Sequence, residues 1–258
     1  MKAQVHVCQD AEALAAHAAQ WIVDLIGRHE ADPEIDWPFS LALAGGTTPK
    51  AMYQAMAAMP AGKIAWERII LLWGDERHVP PEHPDSNYRM VKEALLDHID
   101  IPAENVLAVP EPGGDATLAA RNYERVLKET MHGRNRKFPK VDCILLGLGK
   151  DVHTASLFPH TSALKEKSKL VTANEVPQLD TTRITFTPPM INAARNIAFI
   201  INGAEKMDAL SILWHGPRDT QQYPAQLIQP TDGSLHFFLD KHIMGNIPLP
   251  ESVMVQLI

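Results

Sequence analysis

Apolar residues in this chain fall into two kinds of run. Some runs are short and unbroken, as in Leu41 to Ala44, Ile69 to Trp73, Val141 with Cys143 to Leu146, and Ile197 to Ile201. Apolarity without alternation is what a parallel strand covered on both faces requires. Other apolar residues recur at helical spacing. Leu14, Ala18, Trp21, Ile22 and Leu25 share one face behind Asp10, which can cap a helix from Ala11 to about Gly27. Before it, the first residues alternate as a strand.

The two kinds then take turns along the chain. The pattern predicts strand 41–44 and helix 49–58, strand 69–73 and helix 86–98, and strand 105–109 and helix 115–131. It continues with strand 141–146, a turn of helix near 154–158, strands 169–173 and 183–186, helix 188–195, strand 197–202 and helix 203–214. Repeated βα units of this length predict an α/β fold with a doubly wound, largely parallel sheet and helices on both faces. The Pro-rich and Gly-rich stretches at 80–84 and 110–114 read as loops, because strands continue on both sides of them. A single α/β domain over 1–258 is expected. Beyond Gly216 the pattern weakens and supports no boundary.

Three of the strands empty into polar segments, and in open α/β sheets ligands sit at such carboxyl ends. After Leu146, Gly147 and Gly149 permit a sharp turn, and Asp151, His153, Thr154 and Ser156 supply an acid, a base and hydroxyls. After Ala44, Gly45 and Gly46 form a turn, Thr47 or Thr48 is suited to cap a helix, and Pro49 suits its first position. Free amides at a helix start, with glycines and two hydroxyls, make a phosphate cradle, although an ordinary strand–turn–helix connection uses the same residues. The spacing matches neither a Walker sequence nor a GxGxxG dinucleotide turn. After Trp73 come Asp75, Glu76, Arg77 and His78, four ionisable groups that in isolation read as a solvated loop. Pro80, Pro81 and Pro84 stiffen the stretch beyond them, and Asp85 or Ser86 can cap the next helix.

The segments GGTTPKAMY at 45–53, WGDERHVPPEHPDSNY at 73–88, LLGLGKDVHTASLFP at 145–159 and RITFTPPMINAARNIAFIINGAEKMDAL at 183–210 resemble, in the same order, those of the 6-phosphogluconolactonase family. The resemblance implies hydrolysis of 6-phospho-D-glucono-1,5-lactone to 6-phosphogluconate in the oxidative pentose phosphate pathway, with no cofactor or metal. It assigns the general base to the histidine of the third motif, here His153. An imidazole with an unperturbed pKa of about 6.5 suits proton removal from water near neutrality. Asp151 orients the ring or caps the loop. Arg77 is a candidate partner for the carbonyl oxygen or a lactone hydroxyl, and Asp75 binds hydroxyls or fixes Arg77. For the phosphate, the resemblance adds Arg183 and Lys206, a planar fork and a point charge, to Gly45, Gly46, Thr47 and Thr48.

One position departs from the family pattern. Val152 stands where that pattern has glycine, a residue used where φ is positive or a ligand passes close to the backbone. A valine there leaves the loop undisturbed, displaces His153, or narrows the cleft. The same broad fold also serves sugar-phosphate isomerases and deaminases of the glucosamine-6-phosphate type. Those carry an aromatic residue near the position of Arg77 and an Asn-Glu-Pro sequence where this chain has Ser156 to Pro159. A non-catalytic sugar-phosphate-binding homologue is the third reading, which binding without turnover would identify.

Composition narrows the setting. The 258 residues are 45% hydrophobic and 21% charged, enough for a large core. A formal net charge of −7 disfavours a nucleic-acid partner, so a phosphorylated sugar must be attracted locally. Cys8 and Cys143 are the two cysteines, neither a disulfide framework nor a zinc ligand set, which points to the cytoplasm. The longest apolar run, Ile197 to Ile201, is far short of the roughly 20 residues that span a bilayer, and no membrane partner is expected.

Overall fold

The computed structural model describes residues 3–131, 138–245, 247–250 and 253–258. Its strands are β1 (Ala3–Cys8), β2 (Phe39–Leu43), β3 (Ile69–Trp73), β4 (Asp75–Arg77), β5 (Val106–Leu107), β6 (Cys143–Leu146), β7 (Val171–Val176), β8 (Thr181–Phe186), β9 (Asn196–Ile201), β10 (Ser234–Asp240) and β11 (Val253–Leu257). Its helices are α1 (Ala11–Ala31), α2 (Thr47–Ala57), α3 (Asn87–Ala94), α4 (Ala116–Thr130), α5 (Pro188–Asn192), α6 (Met207–His215) and α7 (Lys241–Met244).

Eight strands form one sheet in the order β11-β1-β10-β9-β6-β2-β3-β5, with every neighbouring pair parallel. The unbroken apolar runs become its centre: β2, β3 and β6 are buried along their whole length, covered on both faces as their composition demands. From β2 the chain builds outward through β3 to β5, then returns to place β6 on the other side of β2. Connections therefore diverge between β2 and β6, the kind of switch point where a doubly wound sheet opens a crevice.

The remaining strands, β4, β8 and β7, form a separate antiparallel sheet. The sequence pattern gives 169–173 and 183–186 as consecutive strands without a helix between them, and assigns them to no separate sheet. Their connection fixes the antiparallel pairing. Only a short turn over Pro177–Leu179 and a left-handed Asp180 separate them, which is too little chain for a crossover and enough for a hairpin. The structure departs from the sequence pattern at α1, which passes Gly27 and runs to Ala31. Asp10 caps its start by accepting from the Ala13 amide, and His29 is buried near its end, with its Nε2 at 2.8 Å from the Trp37 carbonyl.

Two buried tyrosines hold the strand ends beneath the crevice. The Tyr53 hydroxyl, from α2, donates to the Ala44 carbonyl at 2.8 Å and accepts from the Ala44 amide at 2.9 Å. The Tyr123 hydroxyl, from α4, accepts from the Trp73 amide at 2.8 Å and donates to its carbonyl at 3.2 Å. Both satisfy backbone groups that would otherwise be buried without partners.

Candidate active site

The carboxyl ends of β2, β3, β6 and β9 open into one cleft of about 500 Å³. Gly45, Gly46, Thr47, Thr48, Asp75, Arg77, Asp151, His153, Arg183 and Lys206, singled out from sequence, all line it. Asn87, Phe158, Asn202 and Glu205 line it too and were not singled out. All four lie inside the matched segments, yet nothing in their spacing marks them, because their places depend on contacts between distant segments.

His153 sits on the loop after β6. Its Nδ1 lies 2.5 Å from Asp151 Oδ1, and its amide donates to the same oxygen at 3.2 Å. Asp151 thus both orients the ring and caps the loop. Burial works against the charge of Asp151, but hydrogen bonding and the charge of His153 outweigh it and hold the carboxyl below its ordinary value. In the neutral ring, the tautomer that donates from Nδ1 to the carboxylate leaves the lone pair on Nε2. The other side of the ring meets Phe158, stacked at 4.1 Å between centroids and 24° between planes. Gly149 makes room for it: a Cβ there would stand 2.0 Å from His153 Nδ1 and 2.6 Å from Asp151 Oδ1.

The loop itself is a tight turn. The Val152 amide donates to the Gly149 carbonyl at 3.0 Å, and the Gly149 amide to the His153 carbonyl at 2.9 Å. Closing it puts Val152 at φ +63°, the left-handed conformation expected of glycine there. The valine side chain is buried in the hydrophobic core and is not part of the cleft wall, so it does not narrow the cleft. The expected turn of helix near 154–158 is also absent. Thr154 pairs with Leu157 in a turn, the Thr154 hydroxyl donates to the Gly147 carbonyl, and the Ser156 hydroxyl donates to Asp75 Oδ2 at 2.7 Å. These side chains offer the backbone a fixed alternative to a helix.

At the β2–α2 junction the cap is Gly46, at φ +106°, rather than Thr47 or Thr48, so Pro49 falls at the third helical position, two steps deeper than its expected first position. The threonines are thereby released from capping. The Thr48 hydroxyl donates to Asn202 Oδ1, while the first-turn amides of Thr47 and Thr48 have no acceptor within the helix. This leaves the start of α2 open to an anion.

The charged segment after β3 is ordered as strand β4. Alternation sends Asp75 and Arg77 to the cleft and Glu76 inward. There Glu76 accepts from the amides of Arg77, Asn87 and Tyr88, each at 2.7 Å. Burial holds its carboxyl above the usual range even though those amides favour its charge. Asp75 is bound to Ser156, while Arg77 Nη1 donates to the Asp85 carbonyl at 2.7 Å. Across the antiparallel ladder Arg77 faces Arg183. Burial, and then the neighbouring Arg77, lower the pKa of the Arg183 guanidinium. Lys206 closes the short turn Ala204–Lys206 that leads into α6.

Residues 9–237 match the family described as glucosamine-6-phosphate isomerases/6-phosphogluconolactonase. A 6-phosphogluconolactonase of Nostoc sp. is 42% identical over 240 residues, 93% of this chain and 96% of its own. One from Haemophilus influenzae is 35% identical over 209 residues, 81% of this chain and 87% of its own. The solved 6-phosphogluconolactonase of Trypanosoma brucei superposes with a TM-score of 0.83 at 29% identity, covering 96% of this chain and 99% of that one. A monomeric glucosamine-6-phosphate deaminase, at 21% identity and a TM-score of 0.75, shares the fold.

Proposed function

This chain belongs to the family of glucosamine-6-phosphate isomerases and 6-phosphogluconolactonases, and we propose that His153 is the general base with which it hydrolyses 6-phosphogluconolactone to 6-phosphogluconate. One observation carries the assignment: the His153–Asp151 pair shares a single cleft with an open helix start and with Arg77, Arg183 and Lys206. A lactone phosphorylated at its far end needs such a base and such an anion site together.

The phosphate sits against Thr47, Thr48 and the glycines before them, with Arg183 and Lys206 neutralising it. Nε2 of His153 takes a proton from water as its oxygen attacks the lactone carbonyl carbon. Asp151 stabilises the imidazolium so formed, and Arg77 receives the charge developing on the carbonyl oxygen. Collapse of the tetrahedral intermediate breaks the bond to the ring oxygen, which takes the proton back from the imidazolium and leaves as a hydroxyl. Asp75, oriented by Ser156, accepts from a sugar hydroxyl. Among the described residues no helix is long and apolar enough to cross a membrane. Both cysteines are buried and free, which supports a reducing compartment, the cytoplasm, as the place of work.

The test is hydrolysis of freshly generated lactone against a buffer blank. His153→Asn should lower kcat by a hundredfold or more with KM little changed, on the order expected for loss of a general base. Arg183→Ala and Lys206→Ala should chiefly raise KM. Wild-type kcat in the His153 variant refutes the assignment.

A further inference from the structure

Phe158 is buried, yet it stands outside the contiguous hydrophobic core that takes in its neighbour Leu157. Its ring lines the polar cleft and stacks on His153. Its backbone is pinned, because the Phe158 carbonyl accepts from the Thr161 hydroxyl at 2.7 Å and from the Thr161 amide at 3.3 Å. A large apolar side chain held at a polar site, with the candidate base as its stacking partner, calls for an explanation other than core packing.

We propose that Phe158 is a positioning residue for the reaction, clamping the His153 imidazole in line with the attacking water and stabilising the imidazolium that forms there. This rests on the reading of His153 as general base. The clamp has three parts. Asp151 fixes the edge of the ring through Nδ1, the missing Cβ of Gly149 leaves space against that edge, and Phe158 covers one face. Together they leave Nε2 as the one ring nitrogen free to react. The second effect is electrostatic. An aromatic face carries negative charge density, so it attracts a cation more strongly than a neutral ring. His153 is neutral before proton abstraction and cationic after it, so the attraction grows toward the transition state, and only such growing interactions raise kcat. The other charges on the cleft wall, Asp75, Arg77, Arg183, Glu205 and Lys206, are common to wild type and variants alike.

The experiment compares Phe158→Leu, which keeps apolar bulk without the π face, with Phe158→Tyr and Phe158→Trp, which keep the face. Phe158→Leu is expected to lower kcat about tenfold with KM within about twofold, in line with the strength of a partly desolvated cation–π contact. An aromatic replacement should restore kcat to within about threefold. In parallel, the His153 ring protons of wild type should show the upfield ring-current shift of a stacked imidazole, lost in Phe158→Leu. Circular dichroism and thermal melting establish that each variant is folded. Should Phe158→Leu misfold, Phe158→Met takes its place, and the ring-current shift in wild type is read regardless. Wild-type kcat in the aliphatic variant, equal losses in the aliphatic and aromatic variants, or no ring-current shift in wild type each overturns the proposal. If His153→Asn itself retains wild-type kcat, the assignment of the base has failed instead, which the same assay reports separately.

Discussion

The left-handed Val152 makes a quantitative claim that substitution can check. At φ +63° an L residue is destabilised by about 1–2 kcal/mol relative to ordinary backbone. Its side chain is 1% exposed, so truncation also loses burial. Val152→Ala removes two buried methyl groups, about 1.6 kcal/mol at about 0.8 kcal/mol each, and leaves a Cβ on the strained backbone. Val152→Gly removes one carbon more, at about 0.8 kcal/mol, and loosens the unfolded chain by about 0.4–1 kcal/mol, but it releases the strain of about 1–2 kcal/mol. These terms nearly cancel, so the glycine variant should be as stable as the alanine variant to within about 0.8 kcal/mol. At an ordinary φ, with no strain to release, glycine would be worse by about 1.2–1.8 kcal/mol. Urea unfolding of the three proteins, compared at constant m, measures the difference. A glycine variant less stable than alanine by more than about 1.2 kcal/mol would refute the strained loop. The kinetic side is equally definite. A valine that crowded the cleft would make Val152→Gly several-fold faster, but the isopropyl group packs into the core, so kcat/KM should stay within about threefold of wild type. A tenfold gain would show that the valine holds His153 out of place.

Two further outcomes rest on the same geometry. Gly149→Ala places a methyl 2.0 Å from His153 Nδ1, so the ring must move, and a displacement near 1 Å lowers kcat/KM by about a hundredfold while the melting temperature changes little; unchanged kinetics would contradict the packing. The second concerns His6 and His236, both buried, whose ordinary pKa of 6.5 is pushed down to about 4, first by burial and then by a neighbouring histidine, His17 for His6 and His6 for His236. Asp24 faces His17, Arg28 bears on His236 and Gln256 bonds His6. Both rings are neutral when folded and take up protons when unfolded, so the stability they contribute is complete above pH 6.5 and is lost as pH falls toward 4. One such site is worth about 3 kcal/mol over that window. Urea midpoints between pH 7.5 and 4.5 should fall steeply in wild type and less in His236→Phe, and equal slopes would contradict this.

What the sequence made legible was the half of the fold that local pattern controls. Unbroken apolar runs followed by glycine mark β2 and β6, and an apolar run leading into charge marks β3, so the three loops that line the cleft are legible from local pattern alone. The strand β10 is not legible because the buried His236 interrupts its apolar run and the buried Asp240 ends it, polar residues in a strand's interior that local pattern does not explain. Its position between β1 and β9 is a long-range fact, as is the pairing of β11 with β1. The departure at Val152 marks a position where glycine's backbone freedom could matter, because glycine preference is a local property, but it leaves open whether φ is positive, as it is at +63°. It leaves open the direction of the side chain too, because that depends on what the rest of the core leaves free.

Asp75, Glu76 and Arg77 show most plainly why local reading stops where it does. Four successive ionisable groups read as a solvated loop, yet three of them form a strand whose alternation divides two tasks. Glu76 points inward and gathers the amides at the start of α3, which fixes the strand in place. Asp75 and Arg77 point the other way, into the cleft. The ladder then sets Arg77 opposite Arg183, and like charges directly opposite each other destabilise a sheet pair. Such a pair costs least when each guanidinium meets negative charge of its own, as the proposed reaction provides: the developing oxyanion for Arg77 and the phosphate for Arg183. A protein of net charge −7 that acts on an anionic substrate needs positive charge in one place only. Cross-strand register supplies that concentration, and register between segments a hundred residues apart is what a single sequence does not display.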